Sequence, residues 1–327
     1  MRKTDKLFLL VAIMLCAVFS LTGCNTYKID KGDEWKEKFD LTNPNLKVEN
    51  TAFGKENARS DGWYITMNEN FEANTMPENW NAAENCRRNE AYWCDSMVEF
   101  VDGYAVIKAV SDKNHKDTCN HENCGKEYDR ITSGIITCKT EDSKRTNEML
   151  FSQAFGYFEV RCKVPNSDGI WSAFWLQTPT MGNIGNKGED GAEIDIFESN
   201  FYKRPNNVGS CVHYDGYAKK HRSLGAVHEV ESNTYEGFHT YGLKWTPKEY
   251  VFYYDGEPTW ATDYDGVCKV PAFLMLTCEI RDEGISGPYG DKLGKFNGDA
   301  EFLVDYVRVY QNTNYEQYIR TPESFNK

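Results

Sequence analysis

Short runs in which apolar and polar residues alternate recur along the chain from about position 64, and turn-forming residues separate them. Alternation of this kind is typical of β-strands that bury one face. Asp102-Gly103 and Asp255-Gly256 each stand between two such runs, and their residue types predict hairpin turns. Because no long stretch has helical periodicity, the pattern predicts an all-β fold, a two-sheet antiparallel sandwich in which each sheet covers the other's apolar face.

Composition divides the chain into four parts. Residues 1–23 begin with basic side chains and continue with the apolar stretch LFLLVAIMLCAVFS. This pattern predicts an export signal, because the apolar stretch is short for a membrane-spanning helix. Residues 24–58 are polar and charged, which predicts a tether. Residues 59–311 carry the predicted strands and form one domain of reasonable size for a sandwich. The composition of residues 312–327 predicts a polar tail.

The sequence Leu21-Thr22-Gly23-Cys24, at the end of the signal, resembles a bacterial lipobox. In that interpretation Cys24 is the lipidated first residue of the mature protein, and the alternative is an ordinary secretory signal with an incidental cysteine. Lipidation predicts an extracytoplasmic protein, at the cell surface or in the periplasm. Its contact with the bacterial cell membrane would be the N-terminal lipid anchor alone.

The formal net charge of −13 argues against nucleic acid or an anionic lipid surface as a partner. The same charge disfavours a heavily sulfated polysaccharide as substrate. We expect a monomer that needs no cofactor.

Nine of the eleven cysteines lie beyond residue 24, and nine is odd, so at least one is unpaired within the chain. The segment HKDTCNHENC could be drawn as a zinc site made of His115, Cys119, His121 and Cys124. The spacing of these four residues matches no strong zinc template. A Cys119–Cys124 disulfide or free thiols are the favoured alternatives, and no metal site is predicted.

Residues 191–199, GAEIDIFES, place Glu193, Asp195 and Glu198 within an apolar run. On a helix the two glutamates would lie about 140° apart, and on a regular strand positions five apart point to opposite faces. A β-bulge at Ile196-Phe197 uses up one residue and returns Glu198 to the face of the other two carboxylates. The spacing therefore predicts a bulged strand.

Three carboxylates on one face suit glycosidic bond cleavage, in which one carboxyl protonates the leaving oxygen and another attacks or activates water. Crowding and partial burial are expected to raise the pKa of one of them and keep it protonated. The alternative is a solvated strand face without chemistry. Trp171 and Trp175 of GIWSAFWLQ share a strand face and could stack on sugar rings, although paired tryptophans in an apolar strand are more often core.

Together these features resemble glycoside hydrolase family 16, whose bulged signature E-x-D-x-x-E stands here as Glu193-Ile-Asp195-Ile-Phe-Glu198. GYFEVRCKVPNSDGIWSAFWLQTP, FHTYGLKWTPKEYVFYYDG and DYVRVYQ resemble other family segments in the same order, so the resemblance covers roughly residues 64–311. It implies a concanavalin-like jelly roll with a concave substrate cleft. It also implies Glu193 as nucleophile, Asp195 as assisting carboxylate and Glu198 as general acid/base.

The resemblance further implies substrate-binding residues. Trp171, Trp175 and His213 match positions that line the cleft near the cleaved bond in similar enzymes, with a plain structural role as the alternative for His213. Arg88, Asn89 and Glu90 of RRNEAYW resemble the N-N-E-x-x-Y stretch of laminarinase-like members, whose polar residues reach the substrate's non-reducing side.

The implied function is that of a retaining endo-β-glycosidase that hydrolyses a polysaccharide through a glycosyl-enzyme intermediate, and the expected substrate is β-1,3- or mixed β-1,3/1,4-glucan. The sequence departs from the family pattern at 133–136, around 112–128 and in MLTCEIRDEG. These departures bear on the substrate specificity that the resemblance implies and leave the triad assignment unaffected. An endo-β-galactosidase acting on galactan or mucin-type glycans is one alternative. A non-catalytic glycan-binding lipoprotein is another, although binding alone would not require three carboxylates at this spacing.

Overall fold

The computed structural model describes residues 28–325, except for 84, 89, 123, 125–127, 142–143, 200–203 and 282–293. Two predicted site residues, Cys24 and Asn89, lie outside the described residues, as does the predicted signal. Strands dominate the described part of the chain, whose one α-helix has four residues. No helix within these ranges is long and apolar enough to cross a membrane.

The strands are β1 (Lys28–Ile29), β2 (Trp63–Glu69), β3 (Asn81–Ala82), β4 (Cys86–Arg88), β5 (Ala91–Trp93), β6 (Val98–Val101), β7 (Tyr104–Ser111), β8 (Arg130–Ile136), β9 (Cys138–Glu141), β10 (Lys144–Met149), β11 (Gly156–Lys163), β12 (Ile170–Gln177), β13 (Glu193–Ser199), β14 (Asn207–Tyr214), β15 (Arg222–Glu229), β16 (His239–Trp245), β17 (Tyr250–Tyr254), β18 (Glu257–Thr262), β19 (Phe273–Ile280) and β20 (Asp299–Asn312). The helix is α1 (Trp35–Lys38), and short 3-10 turns span Val48–Asn50, Lys55–Asn57, Asp95–Met97, His115–Asp117, Asn186–Gly188, Glu316–Tyr318 and Pro322–Phe325.

Two sheets face each other. The front sheet has the order β1-β15-β14-β13-β12-β19-β8-β3 and is antiparallel apart from the β1–β15 pair. The back sheet runs β18-β17-β16-β11-β20, and the long β20 then pairs with both β2 and β7. Strand β8 joins the sheets, because its start pairs with β7 and its end with β19. The predicted two-sheet antiparallel jelly roll is confirmed.

Both predicted hairpin turns are present. Asp102-Gly103 connects β6 to β7, and Asp255-Gly256 connects β17 to β18. Each turn has positive φ at both residues, 53° and 78° in the first and 47° and 86° in the second. Aspartate and glycine tolerate this left-handed conformation better than other residues, so the sequence could specify these turns locally.

The core lies between the sheets and is rich in aromatic side chains, including the fully buried Trp245, Trp260 and Phe174. Phe197 of β13 stacks on Tyr241 of the back sheet, with ring centroids 3.9 Å apart. Burial of a phenylalanine side chain contributes about 1.5–3 kcal/mol. This contact therefore favours the orientation of β13 in which Phe197 faces the core and the next residue faces outward.

Residues 28–58, predicted as a tether, contact the domain at several points. Strand β1 pairs with β15, and Trp35 and Leu46 are buried. The ammonium of Lys244 donates to the carbonyls of Asp40 and Thr42, at 2.6 and 2.8 Å. The folded unit thus starts before the predicted boundary at residue 59. Sequence patterning missed this because the two apolar anchors stand isolated in a polar stretch.

The predicted polar tail also begins on the domain. Tyr315 packs edge-on against Trp63, with ring centroids 5.8 Å apart, and Glu316 accepts a hydrogen bond from Tyr64 at 2.7 Å. Strand β20 ends at Asn312, one residue after the predicted boundary at 311, and two short 3-10 turns follow it.

The cysteines pair differently from the favoured Cys119–Cys124 disulfide. Cys94 and Cys119 form a disulfide whose Cα atoms lie 6.2 Å apart, and Cys124 is a buried thiol beside it. The pairing crosses 25 residues because Cys94, at the end of β5, lies against the turn that carries Cys119. Among the described residues, only the Cys94–Cys119 link constrains the insertion covalently.

Reduction of the Cys94–Cys119 disulfide is expected to lower the free energy of unfolding by about 2–4 kcal/mol, because the link restricts the unfolded chain. Urea unfolding with and without a reductant measures the effect. Cys124→Ser, which leaves the disulfide intact, should respond to the reductant as the parent protein does, whereas Cys94→Ser should not respond. Destabilisation of the parent by a chelator and not by the reductant would instead support the zinc alternative.

Candidate active site

The three carboxylates lie on a bulge in β13. Asp195 pairs with Trp175 of β12 and Phe197 pairs with Phe174, so a step of two residues along β13 matches a step of one residue along β12. Across β14, the three-residue step from Asp195 to Glu198 again matches only two residues. The predicted bulge is confirmed, and Ile196 is its extra residue. Directly opposite residues share a face, which places all three carboxylates on the outer face of the front sheet.

Two side chains hold the carboxylate of Glu193. The amide of Gln177 donates to its Oε2 at 2.8 Å, and the phenol of Tyr217 donates to the same oxygen. The other oxygen, Oε1, lies 4.0 Å from Nε2 of His213, beyond hydrogen-bond distance. The two donors fix the orientation of the carboxylate and leave Oε1 as its more accessible oxygen.

Asp195 is the buried middle carboxyl, only 5% exposed. Burial, and then the negative charge of Glu193, raise the pKa of Asp195 well above its ordinary value. Its Oδ2 lies 3.0 Å from Nε2 of His213. A protonated Asp195 can therefore donate a hydrogen bond inside the site, which fits the predicted role of an assisting carboxyl.

His213 connects Asp195 to a second imidazole. Its Nδ1 lies 2.9 Å from Nε2 of His221, and the two rings stack with centroids 5.1 Å apart. Burial, and then the neighbouring His213, lower the pKa of His221 to about 4. His221 is consequently neutral near pH 7, and one ring donates a hydrogen bond to the other.

Glu198 stands between two small residues. It pairs with Ala173 on β12 and with Gly209 on β14, and it is 6% exposed. Its directly opposite neighbours therefore contribute only a methyl group on one side and no side chain on the other.

The two predicted tryptophans, both on β12, lie on the same face of the front sheet as the carboxylates of β13. Trp175 is 7% exposed, and its indole nitrogen donates to Thr277 at 3.1 Å. Trp171 is half-buried near the start of the strand, where the guanidinium of Arg281 lies 4.7 Å from its ring centroid. The Trp175 side chain is therefore held in place on the face of the sheet, and Trp171 offers the more exposed aromatic surface.

Arg88 reaches the same face from β4. Its Nε and Nη2 donate to Glu279 at 3.0 and 2.7 Å, and its guanidinium lies 5.2 Å from the ring centroid of Trp93. Burial alone would lower the pKa of Arg88, but the charges of Glu279 and then Glu193 raise it above its ordinary value. Arg88 thus lies within electrostatic range of the carboxylates, whereas the predicted neighbour Asn89 lies outside the described residues.

Sequence reasoning missed four residues of this site, namely Gln177, Tyr217, His221 and Glu279. Gln177 could have been found, because it stands two residues after Trp175 and alternation places both on one face. Tyr217 and His221 lie between β14 and β15 in a segment without periodicity. Glu279 required the register of β19 against β12, which places it opposite Trp171.

A model of the family described as "Glycosyl hydrolases family 16" matches residues 95–273, more than half of the chain. The chain belongs to glycosyl hydrolases family 16. The matched range contains the bulged strand and both of its neighbours. The predicted membership of a glycoside hydrolase family is confirmed.

Relatives of this family 16 member include "Endo-1,3-1,4-beta-glycanase EglC" of Rhizobium meliloti (strain 1021), which is 30% identical over 210 residues. The match covers 64% of this chain and 38% of that protein. "Glucan endo-1,3-beta-glucosidase A1" of Niallia circulans is 27% identical over 229 residues, which cover 65% of this chain and 30% of that protein. The chain therefore spans about a third of the length of these relatives.

Solved structures share the fold. The catalytic domain of an endo-1,3-beta-glucanase (laminarinase) from Thermotoga petrophila RKU-1 matches 78% of this chain and 100% of that chain, with a TM-score of 0.60 and 21% identity. A structure described as "Prominent members of the human gut microbiota express endo-acting O-glycanases to initiate mucin breakdown" matches 80% of this chain and 95% of that chain, with a TM-score of 0.60 and 22% identity. These likenesses confirm the jelly roll.

Proposed function

We propose that this family 16 member is a retaining, endo-acting β-glycosidase that hydrolyses β-1,3- or mixed β-1,3/1,4-glucan. The observation that carries the proposal is the bulge in β13, which brings Glu193, Asp195 and Glu198 to one face of the front sheet. The names of two relatives, an endo-1,3-1,4-beta-glycanase and a glucan endo-1,3-beta-glucosidase, support the choice of glucan. The proposed partner is therefore a polysaccharide substrate.

In the first step, Oε1 of Glu193 attacks the anomeric carbon while Glu198 donates its proton to the leaving glycosidic oxygen. The bond to the leaving sugar breaks and an ester to Glu193 forms. In the second step, Glu198 removes a proton from water, and the water oxygen displaces Glu193 from the anomeric carbon. Two displacements at the same carbon retain its configuration.

The protonation of Asp195 responds to the charge of the nucleophile Glu193 as the reaction proceeds. While Glu193 is ionised, its charge helps to keep Asp195 protonated. Formation of the ester removes that charge, so the pKa of Asp195 falls in the intermediate. Nε2 of His213, 3.0 Å from Asp195, accepts a hydrogen bond from the protonated carboxyl.

Loss of the Tyr217 phenol is expected to slow this chemistry. A hydrogen bond to a charged group contributes about 1.5–3 kcal/mol, and Tyr217 is 38% exposed, which favours the lower end. Tyr217→Phe should therefore reduce kcat about tenfold, measured by release of reducing sugar from laminarin. Tyr64→Phe is the matched control, because it removes a phenol–carboxylate hydrogen bond at Glu316. Equal effects of both substitutions would contradict a role for Tyr217 in holding Glu193.

An endo-β-galactosidase acting on mucin-type glycans or galactan is the second candidate. The structure described in connection with mucin breakdown covers 80% of this chain. The polar pair of Arg88 and Glu279 beside Trp171 could bind sugar hydroxyls of either substrate class.

The purified protein should be incubated with laminarin, mixed-linkage glucan, galactan and mucin O-glycans, and the products separated by anion-exchange chromatography. A ladder of short oligosaccharides from the glucans is the expected result. Products from mucin O-glycans or galactan alone would favour the second candidate. Binding without products from any of the four would support a non-catalytic glycan-binding protein.

We also propose that Cys24 carries a lipid that anchors a monomeric enzyme to a bacterial cell membrane, at the cell surface or in the periplasm. The lipobox-like sequence at 21–24 supports this placement. Detergent phase partitioning of the full chain tests it: the expressed protein should enter the detergent phase, and Cys24→Ala should not. Partition of both into the aqueous phase would contradict the anchor.

A further inference from the structure

One side chain on the active-site face has no part in the proposed hydrolysis, namely the thiol of Cys211. Strand β14 places Cys211 directly opposite Asp195, and the side chain is fully buried. Its Sγ lies 3.4 Å from the carbonyl oxygen of Leu224. Burial, and then the surrounding carboxylates, raise the pKa of Cys211 well above its ordinary value. A thiol held protonated in this way is a poor nucleophile.

Cys211 belongs to a compact group of three different metal-ligand types. One ligand atom each from Asp195, Cys211 and His213 lie within 4.8 Å of one another. The three side chains are 5%, 0% and 3% exposed. Tetrahedral zinc with bonds of about 2.0–2.3 Å needs ligand atoms about 3.3–3.7 Å apart. The 4.8 Å limit of the group exceeds that spacing by about 1 Å.

The second imidazole orients His213 for such a site. Metal-binding histidines hold their other ring nitrogen in a hydrogen bond, which fixes the direction of the coordinating nitrogen. Here Nδ1 of His213 lies 2.9 Å from His221, while Nε2 faces Asp195 at 3.0 Å. When His213 donates Nδ1–H to His221, the Nε2 lone pair points into the group.

A fourth ligand is within reach. Oε1 of Glu193 lies 4.0 Å from Nε2 of His213, whereas Gln177 and Tyr217 bind the other oxygen, Oε2. A cation bound by the other three residues would attract this oxygen. Coordination would occupy the oxygen that attacks the sugar.

We propose that Asp195, Cys211 and His213 bind a soft divalent cation of the zinc type, and that the bound cation inhibits the enzyme by engaging Glu193. Thiolate and imidazole ligands favour zinc and cadmium over magnesium and calcium, which prefer oxygen ligands. Binding replaces the protons of Cys211 and Asp195, which pass to solvent. The inhibition rests on the proposed hydrolytic function, whereas the binding of the cation does not.

Cadmium is a suitable probe, because coordination by a thiolate produces an ultraviolet charge-transfer band. Metal-free parent protein should show a saturable band at one equivalent of Cd²⁺, and Cys211→Ser and Cys211→Ala should lack it. Cys278→Ser is the matched control, because Cys278 is a buried thiol on the same sheet whose Sγ accepts a hydrogen bond from Ser172 at 3.8 Å. It should keep the band, and magnesium should produce none in any variant.

Hydrolysis by each variant is then compared with its own metal-free rate. Cadmium at saturation should lower the rate at least tenfold in the parent and in Cys278→Ser, and a chelator should restore it. The two Cys211 variants should lose less than half of their rate. A band that persists in both folded Cys211 variants, or its absence from the parent, would overturn the proposed site. A band without any hydrolysis of the polysaccharide panel would instead refute the proposed function and leave the site intact.

Discussion

Replacement of Glu193 by glutamine is expected to abolish hydrolysis of the polymer, with a fall in kcat on the order of 10⁴-fold or more, as for other enzymes that lose a nucleophile. An amide cannot supply the electron pair that forms the glycosyl ester. Glutamine preserves the shape of the side chain, so its contacts with Gln177 and Tyr217 need little rearrangement. Oligosaccharide release measures the effect.

The exposed Glu301 of the back sheet provides the control, because Glu301→Gln changes the charge equally and lies far from the bulge. Its rate should match that of the parent. A second variant, Glu193→Ala, opens space for an external nucleophile. Azide should restore turnover of an aryl β-glycoside and yield an α-glycosyl azide by a single displacement. Parent-like activity of Glu193→Gln would remove Glu193 from the role of nucleophile.

Replacement of Glu198 by alanine should produce an effect that depends on the leaving group. General acid catalysis contributes about 10²–10⁴-fold, and a sugar leaving group needs the full contribution because its oxygen is strongly basic. An aryl group with a low pKa needs little protonation. Glu198→Ala should therefore lose about 10²–10⁴-fold on glucan and much less in the first step on a dinitrophenyl glycoside.

The second step still requires a general base, so the glycosyl-enzyme should accumulate on the activated substrate. Azide, which needs no base, should accelerate its breakdown and give a β-glycosyl azide. The opposite configurations of the azide products from the Glu193 and Glu198 variants separate the two roles. Equal impairment of Glu198→Ala on good and poor leaving groups would show that Glu198 is not the acid.

The bulge in β13 could be predicted because two constraints met in one short stretch. The carboxylates needed a common face for chemistry, and Ile194, Ile196 and Phe197 needed the core. Only an extra residue satisfies both, and the structure places all three apolar side chains inside. The hairpin turns were predictable for a similar reason, since their residue types report backbone conformation locally.

Contacts between residues distant in sequence could not be predicted from the chain alone. The Cys94–Cys119 disulfide depends on where β5 ends relative to an irregular loop. The pair of Arg88 and Glu279 joins residues 191 positions apart. Strand register determines such pairs, and one sequence does not reveal it. The packing of residues 28–58 on the domain was missed on the same ground, because isolated anchors carry no periodic signal.

The stereochemistry of the first product tests the central claim most directly, namely that the bulged strand carries a nucleophile and an acid of a double-displacement enzyme. Proton NMR of a mixed-linkage glucan digest should show the β-anomer of the new reducing end first, with the α-anomer appearing later by mutarotation. Initial appearance of the α-anomer would mean a single displacement by water, and Glu193 would then not be a nucleophile.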